Sequence, residues 1–142
     1  MKKINKKMKI LYTSDTLEIV MTESHDDSLS LDHNWCTKQA SMYKVITEKL
    51  NQKLFQITFK DNYLLGLAIN NKNVTGQWID NVKDDNNRFA QISLNYLKDD
   101  IFNSNKVLEI AKLKNNPNLE VIAQKLSELP DDAKNAILSE LI

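Results

Sequence analysis

Through the first 85 residues, short apolar runs are separated by short polar segments, a pattern typical of the strands and turns of a small β-sheet. Runs of strand-forming residues occur at 8–12, 17–21, 53–59, 63–69 and 74–82. The polar cluster at 13–16 separates the first two runs and predicts a β-hairpin. Asp61-Asn62 and the segment 70–73 are the turns predicted between the later strands.

The segment between the second and third strands has a polar, acidic first half and a second half with helical spacing of its apolar residues. Residues 22–34 are polar and acidic, which predicts a surface loop of functional length. A helix capped by Cys36 or Thr37 is predicted to run to about residue 50. Its apolar residues recur at helical spacing: Met42, Tyr43, Ile46 and Leu50.

The last third of the chain is predicted to be helical. A helical stripe begins at Phe89 and continues through Ile92, Tyr96, Leu97 and Ile101. Ser104 is the predicted cap of the next helix, Asn116 the cap and Pro117 the first residue of another, and Pro130-Asp131 opens the last. The inward residues predicted for these helices are Val107, Leu108, Ala111, Leu119, Ile122, Ala123, Leu126, Ala133, Ile137 and Leu141.

These elements predict an α+β fold: a small, mainly antiparallel sheet with a connecting helix, followed by a helical C-terminal third. The 142 residues suffice for a single domain with a real core. We divide it into a mobile basic tail (1–8), a sheet-rich part (9–85) and a helical part (86–142). Five lysines among the first nine residues keep the tail solvated.

The charge balance limits the partners of this chain. Lys and Arg together number 19, as do Asp and Glu, so no overall field favours direct binding to nucleic acid. The single cysteine excludes an internal disulfide, and we see no secretory or membrane-spanning apolar run. We expect a protein of the bacterial cytoplasm. Lysine makes up 18 of the 19 basic residues, a bias that is typical of A/T-rich genomes such as those of low-GC bacteria and their phages.

Cys36 is the one candidate nucleophile. It lies at a helix start, where the helix dipole favours a thiolate, and His33 or His25 is the available base. A hydrolase or transferase that uses Cys36 and His33 is therefore the alternative hypothesis. The competing interpretation, which we favour, is a buried structural thiol beside Trp35.

Two segments of the sequence contain side chains of the metal-ligating type, and a solvated loop is the simpler interpretation of each. His25, His33, Cys36 and a neighbouring aspartate have enough ligands for zinc, but their spacing matches no familiar pattern. The acidic cluster around Asp80 and 84–85 lacks the glycine and distal glutamate of a calcium loop. We predict no metal and no cofactor.

The candidate partner-binding residues are acidic or aromatic. Residues 13–34 contain six carboxylates and no Lys or Arg, a composition that suits a basic groove. The residues assigned to this contact are Asp26, Asp27, Asp32 and Trp78. The C-terminal residues 118–142 carry a net charge of −3, two lysines against five carboxylates. This charge disfavours DNA reading and favours an amphipathic helix pair used for core packing or for self-association, for example as a homodimer.

Trp35-Cys36-Thr37, the helix with Tyr43, and Gln77-Trp78-Ile79-Asp80 resemble a group of small phage and mobile-element proteins. That group carries a Thr-Lys-Trp-Cys-Thr box, a Tyr-bearing helix, a strand and a Gln-Phe-x-Asp-type segment. The resemblance covers about residues 10–85. Here Asp32-His33-Asn34 replaces the usual Gly-x-Thr-Lys lead-in.

The resemblance implies a phage or mobile-element origin. Together with the charge pattern, it leads us to expect an accessory protein that acts stoichiometrically on a host protein or nucleoprotein complex. An inhibitor of a bacterial defence system, such as a CRISPR effector, fits this description.

Overall fold

In the part of the chain that the structure describes, six antiparallel strands pair in the order in which they occur in the sequence and form one meander. The computed structural model describes residues 8–30, 40–61, 63–70, 76–80, 91–93 and 101–141. The strands are β1 (Lys9–Thr13), β2 (Leu17–Met21), β3 (Gln52–Phe59), β4 (Leu64–Asn70), β5 (Gly76–Asp80) and β6 (Gln91–Ser93). The predicted α+β class with its antiparallel sheet is therefore confirmed.

The first hairpin forms around the hydroxyl of Ser14. Its Oγ accepts hydrogen bonds from the amides of Thr16 and Leu17, each at 3.2 Å, and the Ser14 amide donates to the Leu17 carbonyl at 2.9 Å. Such local side-chain bonds stabilise tight reversals. The hairpin predicted from the cluster at 13–16 is confirmed.

One face of the sheet holds most of the apolar core. Because side chains of a strand point to alternate faces, every second residue of β2, β3 and β4 contributes to it. None of these nine side chains is more than 6% exposed: Leu17, Ile19, Met21, Phe55, Ile57, Phe59, Leu65, Leu67 and Ile69. The C-terminal helices pack on this face and share its hydrophobic cluster.

These helices are α3 (Ser104–Leu113), α4 (Pro117–Ser127) and α5 (Asp131–Leu138), followed by a 3-10 turn, Ser139–Leu141. Asn116 caps α4 as predicted, since its side-chain oxygen accepts from the amides of Asn118 and Leu119. The cap predicted for α3 was wrong by one residue. Asn103 accepts from the Lys106 amide, and Ser104 is the first helical residue.

The inward residues predicted for these helices are in place. Leu108 is partly buried and packs against the core. The others are buried: Val107, Ala111, Leu119, Ile122, Ala123, Leu126, Ala133, Ile137 and Leu141.

The connecting helix covers part of the opposite face of the sheet. It comprises α2 (Ala40–Lys44) and a π-helical turn (Val45–Lys49), closed by a hydrogen bond from the Leu50 amide to the Val45 carbonyl at 2.9 Å. Tyr43 and Ile46 pack on two sheet residues, Leu54 and Ala68, in a second buried cluster. We call this side of the sheet the second face.

Two sequence interpretations were wrong in secondary structure. Residues 25–30, predicted as part of a loop, form a short helix, α1 (His25–Ser30). Its start is held by a reciprocal pair of bonds: the Ser24 hydroxyl accepts from the Asp27 amide at 3.3 Å, and the Asp27 carboxylate accepts from the Glu23 amide at 2.8 Å. This arrangement is close to a capping box.

The second error concerns Ile92 in the helical stripe predicted from Phe89; Phe89, Tyr96 and Leu97 of that stripe lie outside the described residues. Residues 91–93 form β6 instead and pair with β5, with Ile92 opposite Trp78. Pairing with a neighbouring strand overrides a weak local helical pattern. The sheet therefore extends eight residues past 85, into the segment that was predicted to be helical.

Lys125 of α4 ties the helical layer to the β3–β4 turn. Its Nζ lies 2.6 Å from Oδ2 of Asp61, 5.0 Å from the ring centroid of Phe59 and 5.1 Å from that of Tyr63. The Lys125 side chain is buried although it carries a charge. Its hydrogen bond lowers the pKa of the Asp61 carboxyl. A cation held between rings and a carboxylate is stabilising when it is shielded from water.

We expect Lys125→Ala to lower the free energy of unfolding by about 2 kcal/mol, because it removes both the ring contacts and the ion pair. Lys112→Ala, a change of an exposed lysine on α3, should cost less than about 0.5 kcal/mol. Urea denaturation of both variants measures the difference. Equal effects would contradict this role of Lys125.

Candidate functional site

Three exposed apolar side chains near the second face lie on or directly after the helical elements that precede β3. We define the α1–α2 surface by its exposed residues: Glu23, Asp26, Leu29, Lys44, Val45, Glu48, Lys49 and Leu50. Leu29 and Leu50 are each 48% exposed and Val45 is 37% exposed. Apolar side chains with charged neighbours in such a setting are typical of protein contact surfaces.

The π-helical turn decides which side chains face solvent here. The α-helical spacing of Met42, Tyr43, Ile46 and Leu50 predicted four inward residues. Tyr43 and Ile46 are buried, Met42 is half-buried, and Leu50 is exposed. A π turn closes i to i+5 bonds, which rotates the residues that follow it relative to an α-helix. Leu50 thereby joins the surface.

A depression of about 480 Å³ lies on the outer side of this helix. It is lined by Ser41, Lys44, Val45, Glu48 and Lys49. These positions recur every three or four residues, so they share one helix face. This spacing is visible in the sequence, but the prediction concerned only the inward residues on the opposite face of the helix.

The charged side chains of the α1–α2 surface are exposed to solvent, and Glu23 interacts electrostatically with Lys9 of β1. Among the residues that the structure describes, none forms an ion pair with Glu23, Asp26, Lys44 or Lys49. Glu23 and Asp26 precede or begin α1, and the lysines lie on the neighbouring helix. Carboxylates and lysines thus border the apolar residues on the same side of the sheet.

The four residues predicted to bind a partner have different positions. Asp26 is exposed in the first turn of α1, whereas Asp27 is only 6% exposed and holds the Glu23 amide. Asp27 therefore stabilises the helix start. Asp32 lies outside the described residues. The structure places Trp78 in β5, opposite Leu67 of β4.

The predicted nucleophile, Cys36, and its candidate base, His33, lie outside the described residues. The other candidate base, His25, is half-buried in α1. Its ring centroid lies 5.7 Å from that of Tyr43, at an interplanar angle of 54°. The His25 ring thus takes part in packing α1 against α2.

A chain of hydrogen bonds anchors this helical layer to the sheet. The Tyr43 hydroxyl donates to Oγ1 of Thr22 at 3.1 Å, and that hydroxyl donates to the Leu54 carbonyl at 3.3 Å. Burial raises the pKa of the Tyr43 phenol, and the negative charges of Asp27 and Glu23 add to the rise. The bond to Thr22 acts in the opposite direction. The phenol therefore stays neutral over a wider pH range than a free tyrosine.

Within the described ranges, no three His, Cys, Asp or Glu side chains cluster in a way that would hold a metal ion. Asp80 ends β5, while 84–85 lie outside those ranges. No helix described by the structure is long and apolar enough to cross a membrane.

The fold and this surface define a small α+β protein whose distinctive feature is an exposed helical layer on a meander sheet. Comparison with models of protein families, with curated proteins and with solved structures gave no significant match. The functional argument therefore depends on the geometry of the chain itself.

We expect Tyr43→Phe to lower the free energy of unfolding by about 1 kcal/mol, because it removes the bond that joins α2 to the sheet. Wild-type protein should also lose stability more steeply than Tyr43→Phe as the pH rises above 10.0, the ordinary phenol value. The raised pKa of the folded state means that the unfolded chain releases the proton first. Chemical denaturation at neutral and alkaline pH tests both points.

Tyr12→Phe, a change of a half-buried tyrosine on β1, is the matched control. If it reproduces both effects, the Tyr43–Thr22 bond does not anchor the layer.

Proposed function

We propose that this protein binds another macromolecule stoichiometrically through the α1–α2 surface. The observation that carries the proposal is the exposure of Leu29, Val45 and Leu50 beside four charged groups that form no ion pair with described residues. Interfaces combine an apolar centre with a charged rim that selects the partner. Both components are present here on adjoining helices.

The rigidity of the support favours this side of the molecule. Tyr43 and Ile46 are buried against Leu54 and Ala68, and the Tyr43 hydroxyl is bonded to Thr22. A surface held in place by its inner side loses little conformational entropy on binding. The outer side chains can therefore contribute most of their contact energy to a complex.

The chemistry of the partner follows from the acidic end of the surface. Glu23 and Asp26 are exposed, and the sequence has no Lys or Arg from 10 to 37. Such an end complements a basic protein surface and repels the phosphates of free nucleic acid. A basic nucleic-acid groove of a nuclease has the required charge.

The resemblance to small phage and mobile-element proteins directs the proposal to a host target. A bacterial defence nuclease, such as a CRISPR effector, has a basic groove that binds nucleic acid. A phage benefits when such an enzyme is blocked. We therefore propose an accessory protein that inhibits such an enzyme by occupying its surface.

Self-association through the C-terminal helices stays a prediction. It is supported by Leu113 at the end of α3, which is 87% exposed. This contact would lie on the helices across the sheet from α2, and the two interactions do not compete.

We expect Val45→Glu to weaken binding to the target about tenfold or more, because it places an unpaired carboxylate in the apolar part of the contact. The experiment mixes the purified protein with candidate host nucleoprotein complexes and follows co-migration and affinity. A chain that co-migrates with none of them would count heavily against the proposal.

Val121→Glu is a closely matched control, because Val121 of α4 is 38% exposed and Val45 is 37% exposed. This variant should bind like the wild type. If Val45→Glu binds the target like the wild type and Val121→Glu does not, the interface lies on the C-terminal helices instead.

A further inference from the structure

The second face of the sheet carries a row of polar side chains between its apolar ones. Glu18 of β2 lies opposite Thr58 of β3, and Gln56 lies two residues before Thr58 on the same face. Nε2 of Gln56 donates to Oγ1 of Thr58 at 3.3 Å. The three side chains thus form a continuous polar row across two strands.

Gln56 ends this row in the interior. Its side chain is 3% exposed, and its Oε1 has no solvent contact and no hydrogen-bond partner among the residues that the structure describes. Buried polar atoms are nearly always bonded, since an unbonded one has lost its hydration without compensation. A buried, unbonded acceptor such as Oε1 of Gln56 is therefore a position where we expect a hydrogen-bond donor to bind.

The sheet neighbours that face Gln56 offer no polar group to its side-chain oxygen. Gly66 of β4 lies directly opposite Gln56 and has no side chain to fill the face. The flanking residues are apolar and buried: Val20 opposite Gln56 on β2 and Leu64 opposite Thr58 on β4. Glycine in a strand is characteristic of places where another group approaches the backbone closely.

Glu18 gives this row its electrostatic character. The residue is partly buried, and no described residue forms an ion pair with its carboxylate. Burial alone raises the pKa of this carboxyl. A cation beside it would compensate for the lost hydration. Glu18 and Thr58 both keep some exposure, so the row is open at their end and closed at Gln56.

We propose that the Glu18–Thr58–Gln56 row binds a cationic hydrogen-bond donor, an ammonium or guanidinium group, that pairs with Glu18 and donates to Oε1 of Gln56. Beyond the internal Gln56–Thr58 bond, acceptor capacity remains on the Glu18 carboxylate, on Oγ1 of Thr58 and on Oε1 of Gln56. The remaining donors are the Thr58 hydroxyl and the second N–H of the Gln56 amide. This site is independent of the α1–α2 surface and goes beyond the function proposed above.

The test is an NMR titration of the full chain with methylguanidinium chloride, with sodium chloride at equal ionic strength as the salt control. We expect saturable shifts of the Gln56 side-chain amide and the Glu18 carboxyl resonances. Glu18→Gln and Gln56→Leu should each weaken binding about tenfold or more. The exposed residues Glu120 and Gln124 of α4 provide matched controls, as Glu120→Gln and Gln124→Leu.

A tripeptide with a central arginine forms the second arm of the experiment. Binding of both probes assigns the site to an arginine side chain of a partner, and binding of methylguanidinium alone assigns it to small free cations. Shifts that do not saturate would overturn the proposal, and so would shifts that survive Glu18→Gln. If Gln56→Leu only raises the melting temperature and the wild type binds neither probe, Gln56 is a structural residue alone.

Discussion

The apolar face formed by β2, β3 and β4 is the constraint from which the rest of the fold follows. Nine large side chains on that face would be exposed in an isolated meander, and the hydrophobic effect requires a cover for them. The C-terminal helices provide it, and their own stripes are buried in the same cluster. Lys125 adds a polar tie between α4 and the β3–β4 turn. At the far end of the chain, Glu140 pairs with Lys9 at 2.9 Å and accepts a bond from Lys53 through its carbonyl.

The second face is built differently, which is why we propose a binding function for that side. Among the described residues, α2 and the π turn cover part of this face through Tyr43 and Ile46. The polar row on the same face would be out of place in an ordinary core. Stability is thus supplied mainly by one face. The other face can display an exposed helical layer and retain a buried acceptor, features that a sequence selected for stability alone would not keep.

The sequence predicted those parts of the fold that local chemistry specifies. The Ser14 turn, the cap at Asn116 followed by Pro117, and the inward residues of α4 and α5 could all be read from short patterns. The strand β6 could not, because three residues acquire their structure only by pairing with β5. Helix α1 was not predicted because its sequence is polar, although Ser24 and Asp27 form a recognisable helix-start signal.

The candidate site was less predictable than the fold. The exposure of Leu50 depends on a π turn that periodicity cannot reveal, and the role of Asp27 depends on a bond to the Glu23 amide. Asp26 alone among the predicted contact residues has an exposed side chain that the structure describes. The unbonded oxygen of Gln56 has no signature in the sequence, because it results from the residues that surround it in space.

Amide hydrogen exchange of the protein, alone and in complex with its target, tests the central claim most directly. The account predicts that binding slows exchange in residues 23–30 and 40–50, with little change in the helices at 104–138. Slowing confined to those C-terminal helices, with the α1–α2 surface unaffected, would contradict it.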